Sequence, residues 1–322
     1  MDMFFLTLKQ MLMMVSLMLV GYILRKKNIV PDNSGIILSK LETYIFVPAL
    51  SLINQINNCT VETFVSNSGL MIYGIVLIVI TIGVSTVVSR LFVRNANQSS
   101  EQLYQRNLYK YALTFSNYGF MGNFIILGIW GDMMFYKYSM FTFFVALACS
   151  SWGLYILIPK ERKASILDNL KKGLLTPPII ALAIGMAIGL LNLKSYVPDF
   201  ALNAVDSASK CMGPVAMVLA GMVIGGYDIK KMFSDAKVYA VTFLRLIVIP
   251  AIIVITLKLI GTSDEIAILA LIAFGTPIGM NTIVYPAAYG GDTKTGASMT
   301  LVSHILSVIT IPVMYYLLIV LL

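Results

Sequence analysis

The stretch FGTPIGMNTIVYPAAYG, Phe274 to Gly290, decides how the rest of the chain is read. It lies inside a hydrophobic segment long enough to span a bilayer, yet it holds residues that a spanning helix avoids. Pro277 has no N–H and leaves the carbonyl of Ala273 without its helical donor, and Pro286 does the same to Thr282. Gly275 and Gly279 let the backbone bend, while Thr276, Asn281 and Thr282 put polar groups at membrane depth. Broken backbone at that depth is tolerated only where protein or a water-filled cavity covers it. A counterpart, FSNYGFMGNFIILGIWG, runs from Phe115 to Gly131. Each stretch goes from a Phe to a Gly sixteen positions later, with Trp130 or Tyr289 just before that Gly. Paired Gly/Pro-interrupted segments at matching places in two halves point to the binding site of a secondary transporter.

Composition sets the same frame. With 322 residues, 58% hydrophobic and 12% charged, and a mean hydropathy of +0.86, the chain reads as an all-α polytopic membrane protein. A soluble chain of this size carries about twice that charge. The net charge of +8 does not indicate nucleic acid, because the basic residues fall in short clusters between apolar runs. That is the pattern of cytoplasmic loops facing anionic lipid. Cys59, Cys149 and Cys211 are widely spaced and read as free thiols, and one His without HExxH or CxxC leaves no metal or catalytic site. The chain is therefore not read as an enzyme. The first apolar run, Phe5 to Leu24, is followed by Arg25, Lys26 and Lys27 with no A-x-A-like site, so it reads as a first span rather than a cleaved signal.

Apolar runs predict ten spans, at 5–24, 34–54, 66–92, 109–130, 135–158, 174–193, 201–225, 237–260, 265–289 and 297–321. Sixteen basic residues flank one side of these spans and five the other. This bias places the basic loops in the cytoplasm and both termini outside a multi-pass plasma-membrane protein. The basic connection PKERKASILDNLKK, 159–172, divides the chain into 1–158 and 173–322, five spans each. An odd number per half forces opposite orientations, so the halves form inverted repeats if they share a fold. Pro48 and Pro214 both fall in the second span of their half.

The motifs FSNYGFMG (Phe115–Gly122), PVAMVLAGMVIG (Pro214–Gly225), PIGMNTIVY (Pro277–Tyr285) and SHILSVITIP (Ser303–Pro312) resemble the auxin efflux carrier family, in its bacterial, malate/malonate permease-like branch, over essentially the whole chain. The resemblance implies ten helices in two inverted five-helix repeats, with helices four and nine crossing as broken segments. It also implies a scaffold of helices 1, 2, 6 and 7, against which helices 3–5 and 8–10 move in alternating access. The substrates implied are organic anions: auxin in plants, dicarboxylates such as malate or malonate in bacteria. Two positions depart from the family pattern. Phe124 follows Gly122 and Asn123 where the family has proline, and His304 stands where a small hydroxylated residue is usual.

Where two broken helices cross, half-helix N-termini present unpaired N–H groups and partial positive charge, which can hold a carboxylate. Asn117, Asn123 and Asn281 supply donors and acceptors, and Ser116, Thr276 and Thr282 add hydroxyls. The expected substrate site is Asn117, Asn123, Pro277, Asn281 and Thr282, with the breaks made by Gly119, Gly122, Gly275, Gly279 and Pro286. The plainer account of the same residues is interhelical hydrogen bonding and close packing. Arg245, within span eight, is either a gating or anion-attracting charge or a side chain that snorkels to the headgroups. His304 is either a proton-coupling group or a neutral, hydrogen-bonded core residue. Lys40 and Glu42, near the start of span two, read as solvated ends, and no intramembrane carboxylate stands out as a proton relay or sodium ligand.

The reading is a secondary carrier for a small organic anion, coupled to H+ or Na+ or to the membrane potential, with no cofactor and no metal. Its partners are a small organic anion such as a dicarboxylate and membrane lipids; nucleic acid is excluded and a homodimer is left open. Two alternatives stand beside it. A cation/proton antiporter of similar crossed-helix architecture needs a buried carboxylate that the sequence does not single out. A non-transporting membrane sensor needs a soluble signalling domain or long tail, whereas this chain runs from its last span to Leu322.

Overall fold

The structure, a computed structural model, describes residues 2–94, 99–159, 165, 171 and 173–322. The predicted basic linker at 159–172 lies almost wholly outside them. The described residues form helices α1 (Asp2–Lys26), α2 (Ser34–Asn58), α3 (Val61–Phe92), α4 (Ser100–Thr114), α5 (Tyr118–Leu157), α6 (Pro177–Leu190), α7 (Asp199–Gly225), α8 (Ala236–Leu259), α9 (Asp264–Gly275), α10 (Asn281–Tyr289) and α11 (Lys294–Val320). Among them seven (α1, α2, α3, α5, α7, α8 and α11) are long and apolar enough to cross a membrane. The predicted spans at 5–24, 34–54, 66–92, 201–225, 237–260 and 297–321 fall on α1, α2, α3, α7, α8 and α11, while that at 174–193 is the shorter α6.

The predicted spans at 109–130 and 265–289 are not continuous helices. The first starts earlier, as α4 from Ser100, stops at Thr114 and resumes in α5; the second is split into α9 and α10. Helix α5 has 40 residues, about 60 Å at 1.5 Å per residue, or roughly twice the hydrocarbon thickness. Gly131 divides it, with φ 77° and ψ −169°, a backbone state essentially reserved for glycine. Its counterpart Gly290 closes α10 at φ 73° and ψ 30°, a left-handed C-terminal cap. The two glycines that matched in sequence thus both stop a helix.

Helix α1 packs along α7, and α2 along α6 and α7. Gly21 and Gly221 make the first contact close: a Cβ on either would overlap the carbonyl of Val218 or Met18. Small residues that bring backbones together are the usual device of membrane helix interfaces. Helix α3 packs on α4 and α5, and α8 on α9 and α11. Between these groups lies the largest apolar cluster, including Tyr111, Phe115, Phe141 and Phe274, all fully buried. Ile72, Val79 and Val87 of α3, with Ile252 and Leu259 of α8, point outward, as suits helices surrounded by lipid rather than water.

Several helices contain a π-helical turn, and two of these sit directly before a proline. Val47 N–H bonds back five residues to the Glu42 carbonyl, and Ile249 N–H to that of Leu244. Pro48 and Pro250, the next residues, have no N–H to continue the ordinary ladder. Such bulges are frequent at functional positions, and these two turns contain Glu42 and Arg245. Here one sequence expectation is corrected. Lys40 is exposed, but Glu42 is completely buried in a turn that packs on α7 and α6, not a solvated helix end.

The two glycine stops differ in what they tolerate. Asn enters the left-handed region readily but not the region Gly131 occupies. Gly131→Asn is expected to cost about 1–3 kcal/mol and to lower the melting temperature in detergent by several degrees, whereas Gly290→Asn loses little. Equal shifts for the two variants would refute the assignment.

Candidate functional site

The two chain breaks meet, main chain to main chain. Asn117 N–H donates to the Pro277 carbonyl at 2.6 Å, and Gly279 N–H reaches the Phe115 carbonyl at 3.5 Å. These bonds make an isolated antiparallel bridge between Ser116 and Ile278. Glycine is needed at 279, since a Cβ there would come 2.9 Å from the Ser116 carbonyl oxygen. The carbonyl of Ala273, orphaned by Pro277, accepts the Ser116 hydroxyl at 2.6 Å. Ile278 N–H in turn donates to Ser303 Oγ of α11 at 3.1 Å. Each break therefore satisfies groups that the other leaves open, which is what backbone without water requires.

Two buried side chains hold the junction from behind. Arg245, completely enclosed, donates through Nη1 to the carbonyls of Leu113 at 2.9 Å and Thr114 at 3.2 Å. It thereby sets a positive charge at the negative C-terminal end of α4 and does not extend away from the protein. His304 lies between Thr300 and Asn117, with Nδ1 at 2.7 Å from the Thr300 carbonyl and Nε2 at 3.0 Å from Asn117 Nδ2. A carbonyl only accepts, so Nδ1 carries the proton; Nε2 then accepts from the Asn117 amide. The imidazole in this arrangement is neutral, and the orientation of Asn117 depends on it.

A cavity of about 270 Å³ opens on the junction. Asn117, Tyr118 and Gly119 line it from the first break, and Gly279, Met280 and Asn281 from the second. Opposite them, Ser39, Thr43 and Ser51 of α2 and Ser139 and Thr142 of α5 contribute hydroxyls, and α6 and α7 close the wall with Leu182 and Leu219. Among the described residues no charged side chain lines it.

Of the sequence-predicted residues, Asn117, Asn123 and Asn281 come together at this cavity, with Gly119 and Gly279. Asn281 Nδ2 also reaches Cys149 Sγ at 3.6 Å, and Cys149 contacts the Tyr111 hydroxyl at 3.0 Å. Pro277 and Thr282 are buried behind the wall. The Thr282 hydroxyl is taken up by the Gly279 carbonyl at 2.9 Å and by Thr300 Oγ at 3.0 Å. Gly122 lies against the Tyr138 ring and Gly275 against Pro250, while Pro286 is buried within α10. Phe124, in place of the family's proline, fills the space over Gly213 of α7, and the first break is made instead by the end of α4 and the π turn Tyr118–Gly122. Arg245 and His304 do not line the cavity. Sequence reasoning missed the hydroxyls of α2, although 39, 43 and 51 share the four-residue spacing of one helix face.

No curated protein matches the chain. The family described as membrane transport protein matches residues 6–169 and 163–315, which include both breaks and nearly every wall of the cavity. The junction of broken helices beside a partly open cavity with neutral polar groups is thus set within a transporter's sequence, and the chain belongs to that membrane transport protein family, the auxin efflux carrier family its motifs resemble.

Proposed function

We propose that this membrane transporter is a secondary carrier for a small organic anion that works by alternating access, with the substrate held where the two broken segments cross. The observation that carries this reading is the Asn117–Pro277 main-chain bond at the wall of a neutral, amide- and hydroxyl-lined cavity. Segments resume there as helices at Tyr118 and Asn281, and helix starts offer N–H groups and partial positive charge to an anion. In this reading α4 with the first part of α5, and α9 with α10, are spans four and nine of ten, in two inverted sets of five. The pairing of α1 and α2 with α6 and α7 is the scaffold, and the remaining helices move against it. Asn117, Asn123 and Asn281 contact the substrate; Pro277 and Thr282 hold the break. Arg245 fixes the end of α4, and His304 orients Asn117. The protein sits in the plasma membrane with both termini outside, as the charge bias implies.

A neutral lining bears on the substrate class. Enclosing a bare dianion without a countercharge is costly, so a dicarboxylate such as malate enters with a cation, and a singly charged carboxylate fits more readily. A cation/proton antiporter is the second reading, and one observation favours it: Glu42 is the buried carboxylate that such a mechanism uses.

Uptake of labelled malate and of a series of monocarboxylates into proteoliposomes, under imposed proton and sodium gradients, tests both. Saturable carboxylate uptake is expected; ion exchange with no carboxylate moved at all selects the antiporter. Asn281→Leu is expected to abolish uptake while reaching the membrane at normal levels, and uptake at the wild-type rate would remove Asn281 from the site. His304→Ala frees the Asn117 amide and is expected to lower uptake by roughly tenfold, the factor equivalent to 1.4 kcal/mol. His304→Gln, which restores an acceptor for Asn117, should recover much of it; equal loss in both variants argues against the positioning role.

A further inference from the structure

Glu42 is the first residue of the π turn in α2, within a helix that is long and apolar enough to span the membrane. Its exposure is 0%, and neither carboxylate oxygen has a hydrogen-bond partner. The elements packed closest on its turn do not neutralise it. Neighbouring turns of α2 carry Lys40, which is exposed, and α6 carries no ionisable residue. Helix α7 carries Asp199, Asp206, Lys210 and Cys211, of which Lys210 and Asp206 pair with each other. An enclosed carboxylate with no partner is far more costly ionised than protonated, and ionisable groups at such depth mark ion pathways.

Its position relative to the cavity gives the burial a use. Ser39 and Thr43, on either side of Glu42 in sequence, line the cavity, and Glu42 itself is buried just behind that lining. The turn is held inside the proposed scaffold, against α6 and α7, and the cavity that Ser39 and Thr43 line lies between that scaffold and α5, so movement of α5 that opens the cavity brings water next to the turn. We infer that Glu42 is the binding site of the coupled proton, loaded as a neutral acid while the cavity is closed. In the cycle the carboxylate takes a proton from water on one side, is enclosed as the acid, and returns the proton to water on the other side. A metal cation asks for several oxygen ligands, and Glu42 stands without a polar partner, which favours the proton over sodium.

This assignment rests on the carrier reading, but its first test needs no substrate. Infrared spectra of the full-length protein in lipid, in sodium-free buffer near neutral pH, should show a protonated-carboxyl band that is lost in Glu42→Gln and kept in Glu62→Gln, a control at an exposed carboxylate. Raising the pH should remove the wild-type band reversibly while circular dichroism stays constant. The second test is malate uptake under an imposed pH gradient, whose stimulation in the wild type should disappear in Glu42→Gln. The assignment is overturned if no band distinguishes wild type from Glu42→Gln, or if the band resists alkaline pH in folded protein. It is also overturned if sodium at constant pH removes the band, which would make Glu42 a sodium site. Failure of the wild type to move any carboxylate would count against the carrier reading alone, because the infrared result stands without it.

Discussion

Everything in this structure depends on a rule that water normally relaxes: backbone groups in hydrocarbon must find partners inside the protein. Pro277 breaks α9 and strips the Ala273 carbonyl of its donor, and the chain does not leave that carbonyl empty. Ser116, from the other half of the sequence, takes it, while Asn117 N–H takes the carbonyl of Pro277 itself. The break in one segment is stable because the other is broken at the same place. Mending either helix would orphan groups on its partner, so the two interruptions form one unit and hold the cavity wall between them.

The polar side chains around this unit follow the same rule by a different route. Pro48 and Pro250 each force a widened turn, and each turn carries a buried ionisable residue. Arg245 spends its charge on the carbonyls that end α4. His304 completes a chain from the Thr300 carbonyl through the imidazole to the Asn117 amide, so a residue lining the cavity is aimed by one that does not. Among the described residues Glu42 is a buried acid with neither oxygen hydrogen-bonded.

How much of this was legible depended on whether the cause and its effect lay close together in sequence. The breaks could be located because proline and glycine act on their own backbone, and the orphaned Ala273 carbonyl followed from Pro277 alone. Its acceptor role toward Ser116 could not be read, since the two residues are 157 positions apart. Glu42 was misplaced because it stands near the start of its span, where a charge is usually solvated, and nothing local in the sequence shows that the turn it begins is covered by α6 and α7. The hydroxyls of α2 had the right spacing, but spacing is ambiguous for such residues in membrane helices: Thr43 does bond back to the Ser39 carbonyl at 2.8 Å, as it would with no cavity nearby. Thr282 looked like Asn281 in sequence, yet one step around α10 turns its hydroxyl onto Gly279 and Thr300.

The ends of the broken segments also favour one sign of charge. A broken helix exposes a positive start and a negative finish, and a site built from both could suit either ion. Here the finishes are occupied: Arg245 covers the last carbonyls of α4, and Ser116 covers Ala273 near the end of α9. The starts, at Tyr118 and at Met280–Asn281, face the cavity beside neutral amides and hydroxyls. The helix ends left facing the cavity are therefore the partly positive ones, although no cationic side chain among the described residues lines the space. That asymmetry is why the proposed reading puts a carboxylate, and not a bare cation, at this spot. In the proposed reading the coupled proton is placed elsewhere, at Glu42, a buried acid without a hydrogen-bond partner that lies behind Ser39 and Thr43 rather than at the crossing.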